Sequence, residues 1–91
     1  MAAVLTSPAP GSTLSGSTAT FGWSAGTSVT NYQIMVGTTG PGASNLLRLT
    51  TTALTSGLVS KIPTTGGTLY VRLYSMIGGA WQYTDYTYTE L

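Results

Sequence analysis

The chain has 91 residues, 42% of them hydrophobic and only 5% charged, against about a quarter charged in an average soluble protein. With no histidine and no cysteine, imidazole and thiolate chemistry, their zinc sites and disulfide staples are all excluded. The net charge of +1, from Arg48, Lys61 and Arg72 against Asp85 and Glu90, cannot neutralise a row of phosphates, so no nucleic-acid partner is expected.

No window places apolar residues at helical spacing; short alternating segments separated by turn residues point to an all-β, antiparallel two-sheet sandwich of about seven strands. The first strand is residues 4–6, stopped by Pro8, Pro10 and Gly11, a pattern suited to an edge strand that kinks as it changes partner. Leu14 stands alone among polar residues and plugs one end of the core. In residues 17–23, Ala19, Phe21 and Trp23 share the inward face, with Thr18, Thr20 and Gly22 outward. Residues 31–36 repeat the pattern, with Tyr32, Ile34 and Val36 inward and Gln33 and Met35 outward. A Gly/Pro-rich loop over 37–45 leads to a strand at 46–52, where Leu47 and Leu49 compete with Leu46 for the core. Residues 53–62 read as a strand with Leu58 and Ile62 on one face, and 63–67 as a turn. The last two strands, 68–77 and 80–90, flank Gly78 and Gly79, which can supply the two positive-φ residues of a type I′ hairpin turn.

That turn dictates a register. Ile77 faces Ala80, Met76 faces Trp81, Tyr74 faces Tyr83, Arg72 faces Asp85, Val71 faces Tyr86 and Leu69 faces Tyr88. Leu69, Val71, Leu73, Tyr86 and Tyr88 form the core side, the two tyrosines needing hydroxyl partners near the rim. Tyr70, Arg72, Tyr74, Met76, Trp81, Tyr83 and Asp85 face outward, with Arg72 and Asp85 as a cross-strand ion pair. Gln33 and Met35 would extend this surface with a polar handle. Tyr70, Tyr74, Met76, Trp81 and Tyr83 are therefore the candidate ligand or self-contact face. Trp and Tyr rings stack on sugars and anchor protein interfaces, and contiguous exposed apolar area marks a contact site.

The segments at 7–14 (Ser-Pro-Ala-Pro-Gly-Ser-Thr-Leu), 20–24 (Thr-Phe-Gly-Trp-Ser), 70–75 (Tyr-Val-Arg-Leu-Tyr-Ser) and 81–88 (Trp-Gln-Tyr-Thr-Asp-Tyr-Thr-Tyr) resemble a fibronectin type III-like or Ig-like repeat of bacterial extracellular and surface proteins. The resemblance covers most of the chain, but its motifs are structural. It implies that Trp23 is the early core tryptophan and that a tyrosine corner falls at Tyr70. It also implies spacer, adhesion or carbohydrate-associated roles without catalysis.

The residues themselves agree with a noncatalytic reading. Asp85 and Glu90 lie about 16 Å apart along an extended strand and point to opposite faces, too far for a glycosidase pair, which needs roughly 5–10 Å. The glycines lie in turns and form no phosphate-binding pattern, and no cofactor or metal site is expected. The sequence has 18 Thr and 10 Ser, and a threonine-coated, lysine-poor surface suits an extracellular setting. Residues 1–3 carry neither a basic leader nor an apolar core, so any secretion signal would lie on a longer parent chain. No run approaches the ~18 apolar residues of a membrane span, and no membrane insertion is expected. The expected function is a structural or adhesion module over residues 1–91 of a larger extracellular protein. The alternatives are a polysaccharide-binding module and a self-assembling subunit. Partners are accordingly neighbouring domains, copies of itself or a polysaccharide. Self-assembly could run through sheet edges, where 46–52 offers only Arg48 as a guard. The expected route is packing of the face of Tyr74, Met76, Trp81 and Tyr83, which removes aromatic area from water without needing strand register.

Overall fold

The computed structural model describes residues 1–52 and 54–91. The alternating segments are strands: β1 (Leu5–Ser7), β2 (Ala19–Trp23), β3 (Val29–Gly37), β4 (Leu47–Thr51), β5 (Ser56–Val59), β6 (Thr68–Ile77) and β7 (Ala80–Thr89). No helix occurs among the described residues. The strands form two antiparallel sheets, ordered β1-β2-β5 and β4-β3-β6-β7. Their apolar faces pack together as an all-β sandwich. Ala53, where the strand expected over 53–62 would begin, lies outside the described residues.

Period-two patterning decides what fills the space between the sheets. Phe21 and Trp23 from β2 meet Tyr32, Ile34 and Val36 from β3 and Leu69, Val71 and Leu73 from β6, all buried. Tyr88 packs edge-on against Phe21 at 5.2 Å between ring centroids. Leu14 is buried, as is Ala3. Inward hydroxyls find backbone partners, as buried polar groups must. Tyr88 donates to the Pro8 carbonyl at 2.8 Å, and Tyr32 donates to that of Ala25 at 2.6 Å. The Leu5 amide donates to the Tyr86 hydroxyl at 3.2 Å, and that of Ala3 to Ser75 Oγ at 3.0 Å. Trp23 Nε1 is buried and has no hydrogen-bond partner among the described residues.

Several expectations require correction. Leu58 and Ile62 do not share a face: Leu58 is 64% exposed and Ile62 is buried. The strand stops at Val59, which supplies the inward side chain. Lys61 then adopts φ 58°, a left-handed turn that breaks the alternation and brings Ile62 inward, where its amide bonds to the Ser17 carbonyl at 2.9 Å. Leu47 and Leu49 are the strand residues that turn toward the core on β4, and Leu46, just before the strand, packs against it too. Gln33 lies on the outward face but is only 9% exposed, flanked across the ladders by Thr50 and Tyr74. It is not a free polar handle. Tyr70 fills no corner, because the even positions of β6 face away from the core.

The strand directions also place the chain ends. Residue 1 sits beside the β2–β3 loop, with its amino group donating to the Thr27 carbonyl at 3.0 Å and its carbonyl accepting from the Thr27 amide at 2.7 Å. Leu91 sits at the opposite pole, its carbonyl accepting from the Gly66 amide at 3.2 Å in the β5–β6 connection. The body between them measures 40 × 20 × 18 Å along its principal axes. Glu90 helps to hold that second pole. Its buried carboxylate accepts from Thr65 Oγ1 at 3.1 Å and the Gly67 amide at 3.2 Å.

Candidate contact face on the last hairpin

Gly78 and Gly79 take φ values of 58° and 79°, the pair of positive values that a type I′ turn demands. A two-residue turn leaves one register available. The ladder runs without a bulge from Ile77↔Ala80 through Tyr74↔Tyr83 and Arg72↔Asp85 to Thr68↔Thr89. Its outward positions therefore stack Arg72, Tyr74 and Met76 on β6 beside Asp85, Tyr83 and Trp81 on β7.

The side chains close into a cluster around Tyr74. Its ring meets Trp81 at 5.9 Å, edge-on at 79°, and Tyr83 at 5.4 Å, tilted by 51°. The Arg72 guanidinium lies 4.0 Å from the Tyr83 ring centroid, a close cation–π contact. Arg72 also donates through Nε to Asp85 Oδ1 at 2.7 Å and through Nη2 to Oδ2 at 3.0 Å, a bidentate fork. The hydrogen bond to Asp85, followed by the one to Tyr74, pushes the Arg72 guanidinium further above its ordinary range. On its other side Arg72 is approached by Gly42, where a Cβ would lie 3.0 Å from Nη1. The glycine thus lets the β3–β4 loop close over the guanidinium.

Exposure is uneven across this face. Trp81 is 40% exposed and Tyr83 55%, while Tyr70, Tyr74 and Met76 are half-buried. Met76 lies opposite Trp81 and Asn31 at the turn end of the strip. Tyr70 shares the face, opposite Gly37 and Thr87, but is outside the ring contacts found among the described residues. The geometry brings together Arg72, Tyr74, Trp81, Tyr83 and Asp85, with Met76 beside them, and leaves Tyr70 apart. Because Tyr74 is inclined to both of its neighbours and Arg72 covers part of Tyr83, the rings do not present one plane of the kind a sugar ring stacks on.

Chemically the cluster is a neutralised ion pair wrapped in aromatic rings. Asp85 has both oxygens occupied by Arg72, and Glu90, at the far end of β7, is tied to Thr65 and Gly67. Two features of this region carry no motif in the sequence. One is the loop glycine over Arg72, whose only signal is a run of glycine and proline. The other is the backbone edge of β7. Residues 11–14 pair with its C-terminal end alone, through Gly11 N to Thr87 O at 2.9 Å, Leu14 N to Thr89 O at 2.8 Å and Thr89 N to Ser12 O at 3.0 Å. Neither a family model nor a curated protein nor a solved structure matches the chain.

Proposed function

We propose that this protein is a noncatalytic structural and contact module, one bead of a larger extracellular chain, built on the fibronectin type III-like or Ig-like plan. The observation that carries the reading is the placement of the chain ends at opposite poles of a body 40 Å long, each tied by backbone hydrogen bonds to a neighbouring loop. A sandwich with such ends adds its length to whatever chain it interrupts, and copies joined head to tail extend without folding back. The fourth strand joins the sheet of the third, sixth and seventh. In the immunoglobulin constant-type division it would join that of the first, second and fifth, so the fibronectin-like version is favoured. Neither carboxylate is available as an acid or base, since one is held by a guanidinium and the other pins a turn, which supports a mechanical rather than a chemical role. The exposed Trp81 and Tyr83 would then serve contacts with protein neighbours.

Small-angle scattering on one, two and three copies joined head to tail tests this. The maximum dimension is expected to grow by about the 40 Å long axis with each copy. Growth of less than half that increment would show copies packed side by side and would overturn the spacer role.

A further inference from the structure

β7 is the edge of its sheet, and residues 11–14 cover only its C-terminal end. In an antiparallel ladder, successive residues direct their N–H and C=O alternately toward and away from the neighbouring strand. Thr87 and Thr89 bond outward to residues 11–14, so the same parity turns the backbone groups of Trp81, Tyr83 and Asp85 away from β6. No strand pairs with that stretch among the described residues. It is a template for one more strand.

Edges are ordinarily guarded by brevity, bulges, prolines or lysines. β1 has 3 residues and a register shift, β5 has 4, and β4 has 5 with Arg48 as its second residue. β7 has 10 residues, a regular ladder, no proline and no lysine. Its one charge, Asp85, is already neutralised by Arg72.

We propose that this free half of β7 pairs antiparallel with the same half of β7 in a second copy, about a two-fold axis through Tyr83. The strand's own chemistry selects that occupant and that register. Centred on Tyr83, each copy's Trp81 faces the second copy's Asp85, and every outward-directed N–H and C=O from 81 to 85 is used. No like charges stand opposite one another. A register centred on Asp85 would set two carboxylates face to face and drive the new strand into residues 11–14. A register centred on Trp81 would carry Asp85 past the end of the turn. Gln82 and Thr84, both exposed on the inner side, fall opposite each other across the axis. The exposed parts of Trp81 (40%) and Tyr83 (55%) come together on the outer side, on the order of 200 Å² of aromatic surface per copy. With the strand backbone added, the contact stays below the ~1,200 Å² of a standard interface, so the dimer is weak and fills only at high protein concentration.

Sedimentation equilibrium from low micromolar to millimolar protein, with amide NMR spectra over the same range, tests the pairing. The average mass is expected to rise from 9.4 kDa toward twice that value, with the amides of Trp81, Tyr83 and Asp85 shifting most. Tyr83→Pro removes an N–H that the β6 ladder does not use, and it should remain a folded monomer. Tyr83→Thr keeps the N–H, loses the ring and should still dimerise, weaker by no more than about tenfold. A wild type that stays monomeric at millimolar protein, or a mass that climbs past the dimer, would overturn the proposal. So would a folded Tyr83→Pro variant that associates like the wild type, or a Tyr83→Thr variant as monomeric as Tyr83→Pro, which would move the contact from the backbone edge to the aromatic face. Should Tyr83→Pro fail to fold, the wild-type spectra decide: shifts centred on β4 or on Leu58 in place of 81–85 refute the edge.

Discussion

Replacing Trp23 with alanine removes the largest side chain of the core from a site where it is 4% exposed and packed against Tyr32 at 6.2 Å between rings. The lost burial is roughly 200 Å², worth about 5 kcal/mol at ~25 cal/mol per Å². Residual compactness of the unfolded chain lowers this by ~10–40%, to about 3–4.5 kcal/mol. A second effect opposes it. Trp23 Nε1 is buried without a partner among the described residues, and removing an unsatisfied donor returns roughly 1–3 kcal/mol of desolvation cost. The expected net loss for Trp23→Ala is therefore about 2 kcal/mol from the middle of each range, below the ~3–5 kcal/mol usual for such truncations. Trp23→Phe keeps a ring in the site and sheds the donor, so it should fall within about 1 kcal/mol of the wild type, the smaller ring and the relieved N–H nearly cancelling. Urea unfolding followed by far-UV circular dichroism measures both, and Trp81 remains as an independent fluorescence probe. A phenylalanine variant as unstable as the alanine variant would refute the reasoning, because it would mean that the indole N–H is satisfied.

Burial, reinforced by the nearby Tyr86, holds the Tyr88 hydroxyl well above its ordinary pKa of 10.0, so the folded state resists its ionisation more than the unfolded chain does. That contribution is intact below about pH 10 and falls away as pH rises beyond it. Tyr88→Phe should cost about 1 kcal/mol at neutral pH through the lost bond to Pro8, yet lose less stability than the wild type between pH ~9 and ~11. Parallel losses in the two proteins would contradict this. For the Arg72–Asp85 fork, a double-mutant cycle with Arg72→Met and Asp85→Asn should give a coupling of about 0.5–1 kcal/mol, the upper range for a partly exposed bidentate pair, shrinking in ~1 M salt. A coupling indistinguishable from zero at low salt would show that the rings hold Arg72 in place without the carboxylate.

What was legible in the sequence was local. Gly78-Gly79 forces a two-residue turn, and from it every pair down to Leu69↔Tyr88 follows by counting, including the fork of Arg72 and Asp85. The inward sets of β2 and β3 were legible for the same reason: uninterrupted alternation. Counting failed where the backbone left the strand conformation. Lys61 in a left-handed turn has no compositional signal, and it separates Leu58 from Ile62. Facts that depend on which strands become neighbours were equally hidden. Gln33 is covered because β4 and β6 flank β3, and Glu90 is buried because β7 ends beside the turn holding Thr65 and Gly67. The free edge of β7 could be located only once residues 11–14 were seen to close its other half.

Those residues have one more consequence. They run parallel to β7, with Thr13 beside Thr89. One of these two segments leads back to the first pole of the sandwich, and the other leads out through the second. Tension along the chain therefore drags them in opposite directions along their common length, and the bonds from Gly11 to Thr87, Ser12 to Thr89 and Leu14 to Thr89 lie across the pull. They meet it in shear and must break together, whereas bonds peeled from an end would open singly. The same short stretch that leaves half an edge open is thus a latch against stretching.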